Sequence, residues 1–151
     1  MKRSCGFTLV ELVAIIATVS ILAAVSGSRY VSSDVFETRG DAGLLSSTLR
    51  YAQKTAIAQR RVVYTVYSAT VPPSLRVCFT LDCSQTVTNP ENGNPYAFVF
   101  SRNVQVDAAT IGFDSLGRPV PNANAAFVVT NKNNNSQLVT INVEADTGYI
   151  R

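Results

Sequence analysis

Gly6-Phe7-Thr8-Leu9-Val10-Glu11 stands after a short basic leader and opens a long apolar run. Two cations, Lys2 and Arg3, precede it, and from Leu12 to Ser28 no residue carries a charge. Wound as an α-helix at about 1.5 Å per residue, residues 7–26 would extend roughly 30 Å, the hydrocarbon thickness of a bilayer. Basic residues are retained on the cytoplasmic side, so Lys2 and Arg3 predict one span with everything beyond it outside the cytoplasm. Glu11 is the anomaly in this pattern. A carboxylate in an inserted apolar helix costs about 2.5 to 3.5 kcal/mol, less near an end.

A secretory signal peptide accounts for the basic start, the apolar run and the small residues around Ala24-Val25-Ser26. The chain would then be a Sec-secreted, β-rich binding module. A disposable segment has no use for Glu11, however. Cleavage between Gly6 and Phe7 gives it one, because the new α-amino group of Phe7 would lie four residues from Glu11 on the same helix face.

The stretch Cys5-Gly6-Phe7-Thr8-Leu9-Val10-Glu11-Leu12 resembles the class III signal of type IV prepilins and type II secretion pseudopilins. The resemblance implies a membrane-embedded prepilin peptidase that cuts after Gly6 and N-methylates Phe7. It makes Glu11 the acid that neutralises a terminal amine in a growing filament. The implied partners are that peptidase/N-methyltransferase, other pilins or pseudopilins met through the N-terminal helix, and the inner membrane before assembly. The implied location is the bacterial inner membrane, single-pass with the C-terminal domain in the periplasm, and afterwards a pilus or pseudopilus. Many relatives carry a kinking proline near the end of the span. Here the stretch reads Val25-Ser26-Gly27-Ser28-Arg29-Tyr30, and Gly27 loosens a helix without forcing a kink.

With a leader at 1–6 and a span at 7–28, the rest of the 151 residues makes one domain. The formal net charge of +3 falls to +1 when Lys2 and Arg3 leave with the leader, too little to argue for a polyanionic partner. Histidine is absent, which excludes a His-based triad, an imidazole base and most zinc sites; no cofactor is expected. Cys5 leaves with the leader. Cys78 and Cys83, with four residues between them, lie in the segment placed outside the cytoplasm, where an oxidising environment predicts a disulfide. Two free thiols, or half of a metal site, are the alternatives.

Residues 29–59 read as an amphipathic helical continuation, interrupted at Gly40 and Gly43, with Asp41 capping a fresh start. Leu45, Leu49, Ala52 and Ala56 recur at helical spacing and would cover a sheet, with Arg50, Gln53 and Lys54 on other faces. Residues 60–151 are β-rich. Strands are predicted at 62–67, 75–81, 97–106, 125–130 and 137–143, with a short one near Tyr149, separated by loops rich in Pro, Asn and Gly. The expected fold class is α+β: a long N-terminal hydrophobic helix, then a globular domain of antiparallel sheet.

Three further stretches are similar to the GspH/FimT branch of the pilin-like proteins. Leu49-Arg50-Tyr51-Ala52-Gln53-Lys54-Thr55-Ala56-Ile57-Ala58, followed by Val62-Val63, resembles its helix-to-strand junction. Phe113-Asp114-Ser115-Leu116-Gly117-Arg118-Pro119 resembles its central loop, and Gly148-Tyr149-Ile150-Arg151 its closing strand. The cysteine pair and the Asn-rich loop resemble those of minor pilins of mannose-sensitive haemagglutinin pili. The function implied is a structural minor pilin or pseudopilin subunit, not an enzyme.

A FimT-like DNA-uptake subunit is the alternative. Arg60 and Arg61, with Arg50, Lys54 and Arg151, could contact phosphates. Some FimT-like proteins bind DNA through a C-terminal Gly-Arg-x-Arg pattern, and here Tyr149 stands where the first arginine would be, so a solvated cationic face is the better reading. Asp146-Thr147-Gly148 is the tripeptide of aspartic proteases, but a single copy in a glycine turn reads as a turn before the last strand. Asn134-Asn135-Ser136 matches a glycosylation sequon and is more simply a polar hairpin tip. No nucleophile, base and oxyanion donors come together in the sequence.

Overall fold

A computed structural model describes residues 8–27, 33–107, 110–135 and 137–151. It divides into two compact units, Met1–Ser33 and Asp34–Arg151. The first contains helix α1, Leu9–Gly27. Among the described residues no helix is long and apolar enough to cross a membrane. The span predicted over 7–28 begins and ends on residues outside those described, as does Gly6.

The second unit is built on α2, Ser33–Gln59, a single helix of 27 residues. The expected break at Gly40 and Gly43 does not occur. A Cβ placed on either glycine meets nothing within 4 Å. Each glycine weakens a helix by about 1 kcal/mol relative to alanine. Against that, Leu45 and Leu49 are fully buried, and burying a leucine contributes about 1.5 to 3 kcal/mol. Asp41 is not a cap but a buried anchor. Its carboxylate accepts hydrogen bonds from the Ser101 N–H at 2.8 Å and the Ser101 hydroxyl at 3.3 Å. Thr48 and Thr55 are also buried and donate to the helix carbonyls of Leu44 and Tyr51, both at 2.8 Å, so neither leaves a polar group unsatisfied.

Eight strands follow: β1 Val63–Ser68, β2 Ser74–Cys78, β3 Ala97–Val99, β4 Val104–Asp107, β5 Ile111–Phe113, β6 Pro119–Val120, β7 Ala125–Asn131 and β8 Leu138–Val143. They form a five-stranded sheet in the order β3-β2-β1-β5-β6 and a three-stranded sheet in the order β4-β7-β8, antiparallel throughout. Buried side chains alternate along the strands: Val104 and Val106 on β4, Phe127 and Val129 on β7, Ile141 and Val143 on β8. With Val63, Leu75, Val77, Ile111 and Phe113 of the larger sheet they join the α2 stripe in one core.

The strand predicted at 97–106 is two strands in two different sheets. The Phe100 N–H still reaches back to the Pro73 carbonyl at 2.9 Å, but the Ser101 N–H is captured by Asp41, and Val104 N–H closes a turn on the Ser101 carbonyl at 3.1 Å. The chain therefore leaves the larger sheet at Ser101. Strands β5 and β6, not expected from sequence, are the arms of a hairpin whose tip is the Phe113–Pro119 stretch. Near Tyr149 the chain forms only a bridge, Val143 to Ile150.

Candidate functional site

The first turn of α1 contains the carboxylate singled out from sequence. The Thr8 hydroxyl accepts the Glu11 N–H at 3.2 Å, and the Thr8 carbonyl accepts the Leu12 N–H at 3.2 Å. Thr8 is thus the N-cap and Glu11 the third helical residue, the Thr-x-x-Glu spacing of a capping box. The spacing of Thr8 and Glu11 is the sequence signal of this cap. A carboxylate in the first turn is favoured by the partial positive charge at the helix N-terminus, so Glu11 is less anomalous there than in mid-helix. Among the described residues it has no side-chain partner. Phe7, the proposed source of a pairing amine, lies outside them.

Beyond Glu11 the helix is apolar on every side. Leu9, Val10, Leu12 and Ile15, which face different directions, are 48 to 80% exposed. Its hydroxyls do not interrupt this surface, because Thr18 donates to the Ala14 and Ile15 carbonyls and Ser20 to that of Ile16. A helix apolar all round requires an apolar environment or other helices around it.

Cys78 and Cys83 form a disulfide, with Cα atoms 5.2 Å apart. It closes a turn in which Cys83 adopts φ 57° and donates its N–H to the Thr80 carbonyl. Asp82, at the tip, is held below the usual carboxylate range by hydrogen bonds from Thr80 and Ser84. Arg61 serves this loop, with its guanidinium 4.0 Å from the Phe79 ring centre and 3.4 Å from the Gln85 amide oxygen.

The arginines weighed as phosphate contacts are not gathered into a patch by these contacts. Arg61 is engaged by the loop after β2, whereas Arg151 lies beside β8 and faces Glu144 at 3.6 Å. Arg60 occupies the left-handed position after the end of α2, with φ 52°. Arg50 donates to the Ile150 carbonyl at 3.1 Å. Arg151 lines an open groove of about 480 Å³ shared with Asn142, Glu144 and Asp146, whose two carboxylates work against a polyanion there. Asp146-Thr147-Gly148 is a turn, tied by Asp146 to Asn122 in both directions. Among the described residues no group of three or more potential ligands could hold a metal ion.

The three downstream stretches on which the resemblance rests meet at one point. The Gln53 amide of α2 donates to the Gly117 carbonyl at 2.8 Å and the Gly148 carbonyl at 2.9 Å, with Thr147 at 3.4 Å. Both glycines have positive φ, and a Cβ on Gly148 would overlap the Gly117 carbonyl. Asp114 shapes the adjoining hairpin by accepting from the backbone N–H groups of Leu116 and Arg118 and pairing with the Arg118 guanidinium at 2.8 Å. This knot is structural.

No family model and no curated protein matches the chain. Solved structures do. A crystal structure of the type IV minor pilin FimU from Pseudomonas aeruginosa aligns over 76% of this chain and 87% of that one, with a TM-score of 0.59 and 16% identity. A second crystal form of FimU aligns over 75% and 90%, with a TM-score of 0.58 and 15% identity. The fold is type IV pilin-like. At this identity the likeness shows the architecture, α+β with antiparallel sheets, and does not single out the GspH/FimT branch.

Proposed function

We propose that the chain is the precursor of a pilin-like structural subunit, a minor pilin or pseudopilin of the GspH/FimT kind. Residues 7–28 hold it in the bacterial inner membrane with its C-terminal domain in the periplasm. Prepilin peptidase cuts after Gly6 and methylates Phe7, and α1 then packs among the helices of a type IV pilus or a type II secretion pseudopilus. The observation that carries this reading is α1 itself: apolar side chains exposed on every face, and one carboxylate in the first turn with no side-chain partner among the described residues. A pilin-like domain behind it supports the same reading.

Helices in lipid gain little from hydrophobic attraction to each other, so packing and the pairing of Glu11 with a terminal amine select the arrangement. Glu11→Ala is expected to leave membrane insertion intact and to abolish incorporation into filaments, measured as the fraction of subunit in sheared filaments against membranes. Normal incorporation of that variant would refute the pairing. The DNA-uptake reading gains no observation, since Arg61 and Arg151 are committed to different partners and Tyr149 interrupts the expected basic pattern.

A further inference from the structure

The two sheets present four edge strands, and the edges are not alike. On β6 the outward-facing residue is Pro119, which has no N–H, and Pro121 follows it. On β4 two of the four outward groups are taken, because the Val106 carbonyl accepts the Tyr67 hydroxyl at 3.2 Å and the Val104 N–H donates to the Ser101 carbonyl at 3.1 Å. These are ordinary ways of guarding a sheet edge.

Among the described residues β3 and β8 have no such guards. Backbone groups in a strand point alternately to either side. On β3, Tyr96 accepts from Val77 and Phe100 donates to Pro73, so even-numbered residues face β2, and Ala97 and Val99 face outward. On β8, Gln137 accepts from Asn131, so odd-numbered residues face β7. The outward groups of Asn142 exchange both hydrogen bonds with Arg151, at 2.8 and 3.0 Å, and the Glu144 N–H reaches the Tyr149 carbonyl at 2.9 Å. Leu138 and Thr140 continue that edge with no partner among the described residues. Each open edge is therefore two outward residues long, uncharged and free of proline: Ala97-Phe98-Val99 and Leu138-Val139-Thr140. Both are accessible, with Val99 55% and Leu138 56% exposed.

Alternating N–H and C=O groups at strand spacing, hydrated while the edge is exposed, match the repeat of another extended backbone. We propose that the β3 edge of one copy pairs with the β8 edge of a second copy, head to tail, continuing sheet into sheet. The two edges match in length and in lack of charge, and at Asn142 β8 already exchanges backbone hydrogen bonds with the extended segment ending in Arg151. Pairing β8 with β8 would close a dimer and strand both β3 edges. Pairing β3 with β8 uses each and leaves one of each at the ends, so growth continues. The proposal rests on reading the chain as a filament subunit, where α1 packing brings neighbours to high effective concentration.

Thr140→Pro and Val99→Pro each remove one outward N–H and no hydrogen bond within the subunit's own sheet. Thr140→Lys and Val99→Lys guard the same edges if a proline variant does not fold. Chemical cross-linking of the purified full chain in detergent, resolved by size, reads the outcome. Wild type is expected to give a ladder of oligomers and each variant alone mainly monomer. An equal mixture of the two should give dimers and nothing larger, at least about tenfold above either alone, because each retains the edge that the other lacks. A Val99 variant that dimerises alone, a Thr140 variant that does so, or ladders unchanged in all variants would each overturn the pairing. Glu11→Ala leaves both edges intact, so this readout and filament incorporation fail independently.

Discussion

Two carboxylates show how local chemistry sets the behaviour of a charge. For Asp114, burial would raise the pKa, but hydrogen bonds from the Arg118 backbone and side chain and from Leu116, with the Arg118 charge, outweigh it and hold the group below its ordinary value. A depressed folded-state pKa contributes stability that is present above the unfolded value, about 3.9, and is lost as pH falls through the folded one. Thermal unfolding of the full chain between about pH 5 and 2 should therefore show a loss that is shallower in Asp114→Asn; parallel curves would refute this. Glu11 has two local reasons to be where it is, capping geometry and charge. Glutamine retains the capping-box chemistry and drops the charge. Glu11→Gln is accordingly expected to fail incorporation as completely as Glu11→Ala, and normal incorporation would make Glu11 a cap alone.

Elements respond to their surroundings more than to their own composition. α2 runs through Gly40 and Gly43 because its stripe from Thr38 to Ala56 is buried on one face while the glycines sit on the open one. Gly148 is the opposite case, with φ +64° and no room for a side chain. Gly40→Ala should raise the stability of the full chain by up to about 1 kcal/mol. Gly148→Ala should lower it by about 3 kcal/mol, since left-handed strain and overpacking each cost about 1 to 3 kcal/mol. Urea midpoints check both, and equal effects of like sign would show that neither site is as the structure has it. The helical stripe, β1, β7 and β8 were legible from periodicity, because each lays one apolar face on a core. The break at Ser101 was not legible, since it depends on a carboxylate sixty residues earlier in the chain. The β5–β6 hairpin was hidden by its three- and two-residue arms, too short for a pattern to register.

At the scale of the whole molecule, the proposed processing has a direct readout. Mass spectrometry of the mature protein should find N-methyl-Phe7 at the terminus, whereas a start near Gly27 would mean a secretory signal and a different protein class. From the sequence alone came the apolar N-terminal helix with its one early carboxylate, the α+β class, the covering face of α2 and the expectation that Cys78 and Cys83 pair. These depend on composition, period and short spacing, all of which are local. Only the tertiary structure decided that the chain switches sheets at Ser101, that Gln53, Gly117 and Gly148 close one knot, that Arg61 and Arg151 serve different partners, and that the β3 and β8 edges are unguarded among the described residues. The reason is the same in each case. Such features are fixed by which distant groups satisfy a backbone N–H or C=O, and nothing in the spacing along the chain records that choice.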